Sequence, residues 1–583
     1  MGLVFCLWRL TLLSLAAILF SPKYCTSQKD DGRKYPFMQN AASAPSVSYY
    51  DYIIIGGGTA GCPLAATLSQ SHTVLVLERG GSPYGNPNIT NLNAFGVPLA
   101  DTSPFSPAQR FISQDGVVNS RARVLGGGSC LNAGFYTRAS PHYVREVGWD
   151  GKLVNESYKW VERVVVFQPP MRQWQSAVRD ALLEVGVSPY NGFTYDHVYG
   201  TKIGGSIFDQ NGHRHTAADL LEYANANTIT LLLHAIVHRI LFTTNKGGSR
   251  SRPVAHGVVF KDDRGREHRA YLNQGTSNEI IVSAGALGSP QLLMLSGIGA
   301  AHHLREHNIN VVLDQPLVGQ GMSDNPMNAI FVPSPQPVEV SLIQVVGITN
   351  FGSYIEAASG ENFNGGSQRD FGMFSPKIGQ FSKLPPKQRT PEAIAKAIER
   401  MESLDQEAFK GGFILEKIMG PISTGHLELQ STDPNENPIV TFNYFQDPRD
   451  LEMCINGIST IERVINSKAF SPFKYNNMSA SMLLNMTANS PVNLLPKHTN
   501  TGRSLAQFCR DTVMTIWHYH GGCQVGRVVD SDYKVLGIDA LRVIDGSTFN
   551  YSPGTNPQAT VMMLGRYMGV KILRERLVAD EIK

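Results

Sequence analysis

Two stretches of the chain carry residues whose types and spacing could do chemistry. In Asp51-Tyr-Ile-Ile-Ile-Gly-Gly-Gly-Thr-Ala-Gly61, residues Gly56, Gly58 and Gly61 keep a G-x-G-x-x-G spacing behind an apolar run. Glu78 follows about 20 residues after the first glycine. Such a set holds a dinucleotide. Gly56 permits a tight turn, Gly58 keeps side chains from between a helix N-terminus and the pyrophosphate, and Gly61 lets helix and strand pack closely. The Glu78 carboxylate would accept ribose hydroxyls and repel a 2′-phosphate. Glu78-Arg79-Gly80-Gly81 turns the chain away directly after the acid, a pattern that leans toward FAD. The second stretch is Trp517-His-Tyr-His-Gly-Gly-Cys523. A histidine with an unperturbed pKa of about 6.5 suits proton transfer near neutral pH. As isolated residues, His518 and His520 read first as core histidines, or with Cys523 as part of a metal site. A metal site needs three or four ligands, and no partner cluster of suitable spacing appears, so no metal is expected.

These residues need elements to position them. The apolar run Tyr52 to Ile55 fits a strand buried on both faces. Cys62 to Gln70 reads as a helix, and Thr73 to Leu77 as a second strand ending at Glu78, which completes a β-α-β unit. A second glycine cluster lies in Arg121-Ala-Arg-Val-Leu-Gly-Gly-Gly-Ser-Cys-Leu-Asn-Ala-Gly-Phe135, whose Val124, Leu125 and Asn132 suggest backbone pressed against a flat ligand. Glu279 to Ala284 is an apolar strand, and Pro290 is expected to open an apolar helix that stops at Gly297. Between Pro326 and Asn500 the nucleotide motifs vanish. Phe331, Phe351, Tyr354, Phe363, Phe371, Phe374 and Phe381 are scattered there, more often sheet core than cleft lining. Thr390-Pro-Glu-Ala-Ile opens a helix with Ile394, Ile398, Met401 and Leu404 on one face. Gly425 to Gln430 alternates like a half-buried strand. No internal repeat and no G-x-S-x-G element occurs, which argues against a serine hydrolase.

Together the β-α-β unit, the stretches Arg121–Phe135 and Gly285–Gly299, and the C-terminal Trp517–Cys523, Leu541–Ser547 and Asn556-Pro-Gln558 resemble the glucose–methanol–choline (GMC) flavoprotein oxidoreductases. Val318 to Asn325 resembles that family's V-G-x-N-L-x-D-H, with departures at Gly321 and Asn325. The matches span nearly the whole chain after residue 50. Trp517–Cys523 looks like the plant branch, which holds the hydroxynitrile lyases and the HOTHEAD-like group, and the text from Asn556 onward is closer to the latter. The resemblance implies non-covalent FAD. Gly56, Gly58, Thr59, Ala60 and Gly61 fall at the pyrophosphate, Glu78 and Arg79 at the ribose and adenine end, and Val237 at adenine. Val124, Asn132, Ala133, Gly134 and Phe135 match the flavin-covering loop. Trp517, His518, Asp545, Gly546 and Gln558 match C-terminal flavin contacts. The catalytic pair falls on His520 as base and Asn556 as its partner. Asn can orient an alcohol oxygen but cannot carry its proton away.

With 583 residues, length alone suggests about four domains at roughly 150 residues each, whereas the motif order implies two interleaved ones. The expected fold class is α/β: a Rossmann-type FAD domain from 49–155, 215–330 and 505–575, interleaved with an α+β substrate domain on an antiparallel sheet from 156–214 and 331–504. Charged residues are 17% of the chain and the net charge is +3, which argues against nucleic acid as a partner. Leu10 to Phe20 is an apolar run behind Arg9, shorter than the ~20 residues of a membrane span, and Cys25-Thr-Ser27 offers small residues for cleavage. Residues 1–27 therefore read as a secretory signal, with Gln28 to Ser48 a loose mature N-terminus. Glycosylation triplets at Asn88, Asn155, Asn477, Asn485 and Asn550 agree with secretion. Without the signal, Cys62, Cys130, Cys454, Cys509 and Cys523 remain, an odd number. Cys454–Cys509 is the candidate disulfide, because the other three sit inside motifs. The expected activity is FAD-dependent oxidation of an alcohol by an extracellular monomer. By resemblance its substrates are apolar long-chain ω-hydroxy fatty acids of the cuticle. Cleavage of a cyanohydrin to aldehyde and cyanide is the alternative.

Overall fold

The computed structural model describes residues 34–101, 103–243, 252–360, 411–488 and 504–581. The signal segment, the helix expected after Thr390, and Phe363, Phe371, Phe374 and Phe381 lie outside these residues.

The apolar runs build a six-stranded parallel sheet in the order Met38–Asn40, Ile229–Leu233, Val74–Glu78, Tyr52–Ile55, Glu279–Val282, Leu541–Val543. Side chains alternate across it, as the strand repeat requires. Tyr52, Ile54, Val74 and Val76 enter a core shared with helices. Ile53, Ile55, Leu75 and Leu77 enter the core on the opposite face. That second face is covered by a four-stranded sheet, Ile236–Thr243, Val254–Lys261, Glu267–Leu272 and Val47–Tyr50. Both faces being covered explains why these strands read as continuous apolar runs.

The helix Gly61–Leu68 is buried along its whole length. The C-terminal helix Gln558–Glu581 crosses it and also packs on Gly151–Val165. The first crossing is close. A Cβ at Gly565 would sit 2.2 Å from the Ala60 carbonyl oxygen, and one at Gly569 would sit 2.7 Å from the Thr67 Cβ. The end of the chain thus clamps the helix that follows the glycine turn.

The second layer is a seven-stranded sheet: Met514–Thr515, Pro326–Pro333, Gly411–Ile418, Ser353–Ser359, Val345–Ile348, Gly200–Ile203, Tyr190–Phe193. Its pairings are antiparallel apart from the last. Helices Gln173–Glu184, Pro448–Ile465 and Leu505–Thr512 cover one face around fully buried Trp174. The other face carries Met327, Ala329, Tyr354, Ala358, Phe413 and Leu415 toward the parallel sheet's side of the molecule. Gly425–Glu428 pairs with Gln320–Met322 and Ile439–Thr441 in a small separate sheet.

Four details differ from the sequence reading. Part of the segment expected as a loose N-terminus is ordered, with Met38–Asn40 the edge strand of the parallel sheet and Val47–Tyr50 a strand of the four-stranded sheet. The helix expected from Pro290 begins at Gly285 and runs to Leu295 with Pro290 inside it. Proline there leaves the Ala286 carbonyl without its intrahelical donor, and the apolar burial of Leu287, Leu292 and Leu293 outweighs that loss. Residues 156–165, expected with the substrate layer, belong to a helix whose Tyr158, Val161 and Val165 lie in the helical core under the parallel sheet. Leu505–Thr512, expected with the FAD layer, instead packs on Pro448–Ile465 and contributes Phe508 and Cys509 to the other core.

Cys454 and Cys509 form a disulfide across those two helices, and Cys62, Cys130 and Cys523 are buried free thiols. A bridge closing a loop of this size contributes about 2–4 kcal/mol. Peptide mapping after denaturation in alkylating agent without reductant should find Cys62, Cys130 and Cys523 labelled and Cys454 joined to Cys509. A Cys454→Ser/Cys509→Ser variant should melt several degrees lower.

Candidate active site

The C-terminal ends of the parallel strands open into a cavity of about 300 Å³. Gly56, Glu78, Ala284 and Asp545, each at or just beyond a strand end, line it. Ligands of open α/β sheets bind at this edge. Gly56 has φ +104°, and a Cβ there would lie 2.3 Å from the Ser283 carbonyl oxygen. At Gly61 an added Cβ would lie 2.0 Å from the Gly56 carbonyl oxygen, which is the close packing expected of it. Gly58 is different: its nearest neighbour to an added Cβ is 3.8 Å away, and the residue faces the cavity. Space is kept there for something other than protein.

The cavity is also lined by Thr59, Ala60, Arg79, Val124, Asn132, Ala133, Gly134, Phe135, Val237, Trp517, His518, Gly546, Asn556 and Gln558. Every residue expected to meet cofactor therefore lies on one wall system, apart from Gly61, which packs behind it. The wall is internally braced. Glu78 accepts from the Gly57 N–H at 3.0 Å and the Gly80 N–H at 2.7 Å, and burial pushes its carboxyl up from the usual range. Arg79 donates to Gln109 Oε1 and the Ala122 carbonyl. Gln558 donates to the Phe135 carbonyl and accepts from Asn132 Nδ2 at 2.8 Å, tying the C-terminal segment to the second glycine cluster. Asp545 accepts from the Ser547 and Gly285 N–H groups.

The two histidines part company. His518 is on the cavity wall and His520 is not. His520 Nδ1 folds back on the His518 carbonyl at 3.0 Å, and its backbone exchanges both hydrogen bonds with Ser323. Its buried Nε2 has no partner, and burial lowers its pKa to about 4. His520, expected as the base from the resemblance, therefore does not line the cavity, whereas His518 does. Trp517, immediately before it, has φ +61°, a strained backbone for a bulky residue. His518 Nδ1 is 3.2 Å from Asn325 Nδ2 and 3.4 Å from the Tyr354 hydroxyl, which leaves Nε2 for the cavity side. Burial first, then Lys417 and His520, hold its pKa well below the ordinary value.

The sequence reading missed Lys417. It lines the cavity and pairs with Glu356, both side chains fully buried. The Glu356 carboxylate lies beside Asn556. The signal was present: two consecutive charges, Glu416 and Lys417, inside a run that is otherwise apolar, Gly411–Ile418, mark a buried polar device.

Asn556 Oδ1 and Trp517 Nε1 are buried without a protein partner although both residues face the cavity. Buried polar atoms are normally paired, so these await a ligand with complementary groups. Together with the open side of Gly58 and the poised Glu78, they fit FAD. When bound, FAD supplies a two-electron acceptor. Gly58, Thr59 and Ala60 would hold its pyrophosphate, Glu78 and Arg79 its ribose and adenine end, and Asn132 to Phe135 with Trp517 and Gln558 its ring system.

Comparisons with known proteins agree. Sequence profiles described as GMC oxidoreductase match residues 50–327 and 421–565. Protein HOTHEAD of Arabidopsis thaliana is 56% identical over 91% of this chain and 89% of its own. The Arabidopsis thaliana protein named (R)-mandelonitrile lyase-like is 50% identical over 93% of each chain. Sinalpyl alcohol oxidase Nec3 of Nesocodon mauritianus is 43% identical over 91% of this chain and 90% of its own. A formate oxidase crystal structure superposes with a TM-score of 0.70 at 19% identity, covering 91% of this chain and 99% of that one.

The open side of Gly58 makes a sharp prediction. Gly58→Val should fold, because an added Cβ meets its neighbours only at ordinary contact distance, yet purify without flavin absorbance. Gly61→Ala should lose folded yield, because its Cβ collides with backbone. A Gly58→Val protein carrying stoichiometric flavin would contradict the placement of the pyrophosphate.

With both profiles matched and these relatives spanning more than nine-tenths of it, the chain belongs to the GMC oxidoreductase family and is an FAD-dependent oxidoreductase.

Proposed function

We propose that the protein oxidises the CH–OH group of a primary alcohol, with His518 as the base and Asn556 orienting the alcohol oxygen. The observation that carries this is their placement: both line one cavity, and Asn556 Oδ1 is buried with no protein partner. In the reaction the hydroxyl proton passes to His518 Nε2. With FAD bound, the cofactor would supply the acceptor for the hydrogen and electron pair of the carbon–hydrogen bond as the C=O bond forms. A base contributes typically 10²–10⁴-fold. Asn556, which neither gains nor loses a proton, accepts from or donates to the alcohol oxygen.

The substrate class we propose is the long-chain ω-hydroxy fatty acid of the plant cuticle, with apolar alcohols in general accepted. Support comes from the relative named HOTHEAD, from the alcohol in the name of Nec3, and from apolar walls at Leu99, Leu131, Phe135, Ile343 and Ile516. We further propose that the protein is secreted, glycosylated and monomeric. All five acceptor asparagines are exposed, and no helix among the described residues is long and apolar enough to cross a membrane. The parallel sheet with its covering layers forms the FAD-binding unit in this reading, and the seven-stranded sheet with its helices covers the substrate.

Hydroxynitrile lyase activity is the second reading, favoured by the relative named (R)-mandelonitrile lyase-like. Against it stands Asn556, since Asn cannot shuttle the cyanohydrin proton.

Anaerobic mixing with ω-hydroxy fatty acids should bleach the flavin, and mandelonitrile should release no cyanide. Cyanide release without bleaching by any primary alcohol would reverse the assignment. His518 must be neutral to act, and its pKa is held down by burial. The acidic limb of kcat/KM should therefore lie below the ordinary histidine value of about 6.5, with the rate falling as pH drops through it.

A further inference from the structure

Asn325 closes the segment Val318 to Asn325 that leads into the seven-stranded sheet. It is fully buried, and its amide stands between the two residues that face the substrate. Asn325 Nδ2 lies 3.2 Å from His518 Nδ1, 3.3 Å from the Thr555 carbonyl oxygen and 3.4 Å from Ser552 Oγ. The Tyr354 hydroxyl reaches the same two places, 2.8 Å from the Thr555 carbonyl and 3.4 Å from His518 Nδ1. Thr555 immediately precedes Asn556. One carbonyl therefore links the chain at Asn556 to the ring of His518 through two side chains.

That carbonyl also fixes which group donates. A carbonyl oxygen only accepts. The end of Asn325 beside it must be the NH₂, which sets the amide orientation that diffraction-scale geometry alone leaves open. The Tyr354 O–H must point at it too, so the Tyr354 oxygen has only lone pairs left for His518. His518 Nδ1 thus meets an N–H donor on one side and an acceptor on the other. Neutral histidine with its proton on Nε2 accepts from Asn325. Histidine with its proton on Nδ1 gives it to Tyr354. The second form is the one whose Nε2 lone pair can take a substrate proton, and the imidazolium that results keeps the Nδ1–H bond to Tyr354.

We propose that Asn325 and Tyr354 are opposed positioning residues that select the tautomer of His518, Tyr354 favouring the form that accepts the substrate proton and Asn325 the form that presents Nε2–H to the cavity. This rests on His518 being the base. Neither residue touches the reacting atoms. The charged and titratable groups around the ring are Lys417 with its partner Glu356 from the seven-stranded sheet, His520 from its own segment, and Asp324 beside Asn325. Lys417 also lies 5.6 Å over the Tyr354 ring, a contact that Tyr354→Phe keeps.

The test is the pH dependence of anaerobic flavin reduction by a saturating primary alcohol, in the holoenzyme and in Tyr354→Phe and Asn325→Leu. Tyr354→Phe removes the acceptor for Nδ1–H and destabilises the imidazolium. Its acidic limb should move to lower pH, and its plateau rate should fall about tenfold or more with KM little changed. Asn325→Leu removes the opposing donor, so its acidic limb should move to higher pH. Loss of packing alone would not shift the two limbs in opposite directions. If one variant fails to fold, the direction shown by the other still decides. Limbs that stay at the wild-type pH, or move the same way, overturn the proposal. His518→Asn is the control. If it reduces flavin at the wild-type rate, the base reading itself fails; if it does not while the limbs stay fixed, only the positioning proposal fails.

Discussion

The paired backbone hydrogen bonds between Ser323 and His520 hold the site together. Ser323 closes the segment that leads into the seven-stranded sheet at Pro326–Pro333. His520 sits in the run that leads from the edge strand Met514–Thr515 back to the parallel sheet at Leu541–Val543. Each N–H···O bond of this kind contributes only about 1 kcal/mol net. Their importance is geometric. They pin the Trp517–Cys523 run between the two sheets, so that the strained backbone at Trp517 is held and His518 is delivered to the cavity. His520 serves as the anchor of that run, its ring folded onto its own chain.

The two layers meet the cofactor cavity with different chemistry. The parallel sheet contributes strand ends, glycines and backbone donors, which suit a phosphate-bearing ligand that must lie close to the main chain. The antiparallel sheet contributes side chains from one apolar face, broken by the Lys417–Glu356 pair. Burying two charges is costly unless they satisfy one another. Within the pair, Glu356 lies beside Asn556 and Lys417 acts on His518. Burial first, then Lys417, disfavours the imidazolium of His518.

Much of this was legible in the sequence, and the reason is physical. Gly56, Gly58, Gly61 and Glu78 are bound to one another by local geometry, since a turn, a helix start and a second strand end follow within one β-α-β unit. The more distant residues named by resemblance, from Val124 to Gln558, line the same cavity. The choice between His518 and His520 was not legible. Both have the same residue type, two positions apart, and what separates them is a bridge to Ser323, nearly 200 residues earlier. Pro290 misled for a related reason: a helix start was read from local preference, whereas burial of Leu287 and its neighbours set it. Tyr354 and Glu356 share one strand, Lys417 lies on its neighbour some 60 residues later, and Asn325 sits in a connecting segment, so the sheet register is what sets Lys417 opposite Tyr354.

The central claim is that His518, held at the cavity by the anchored His520, takes the substrate proton. Side-by-side anaerobic stopped-flow reduction of flavin-loaded His518→Asn and His520→Gln proteins tests it most directly. A fall of about 10²-fold or more is expected for His518→Asn, with His520→Gln reducing its flavin within a few-fold of wild type while melting earlier. Full-rate reduction in His518→Asn, together with collapse of the chemical step in a folded, flavin-replete His520→Gln, would contradict it.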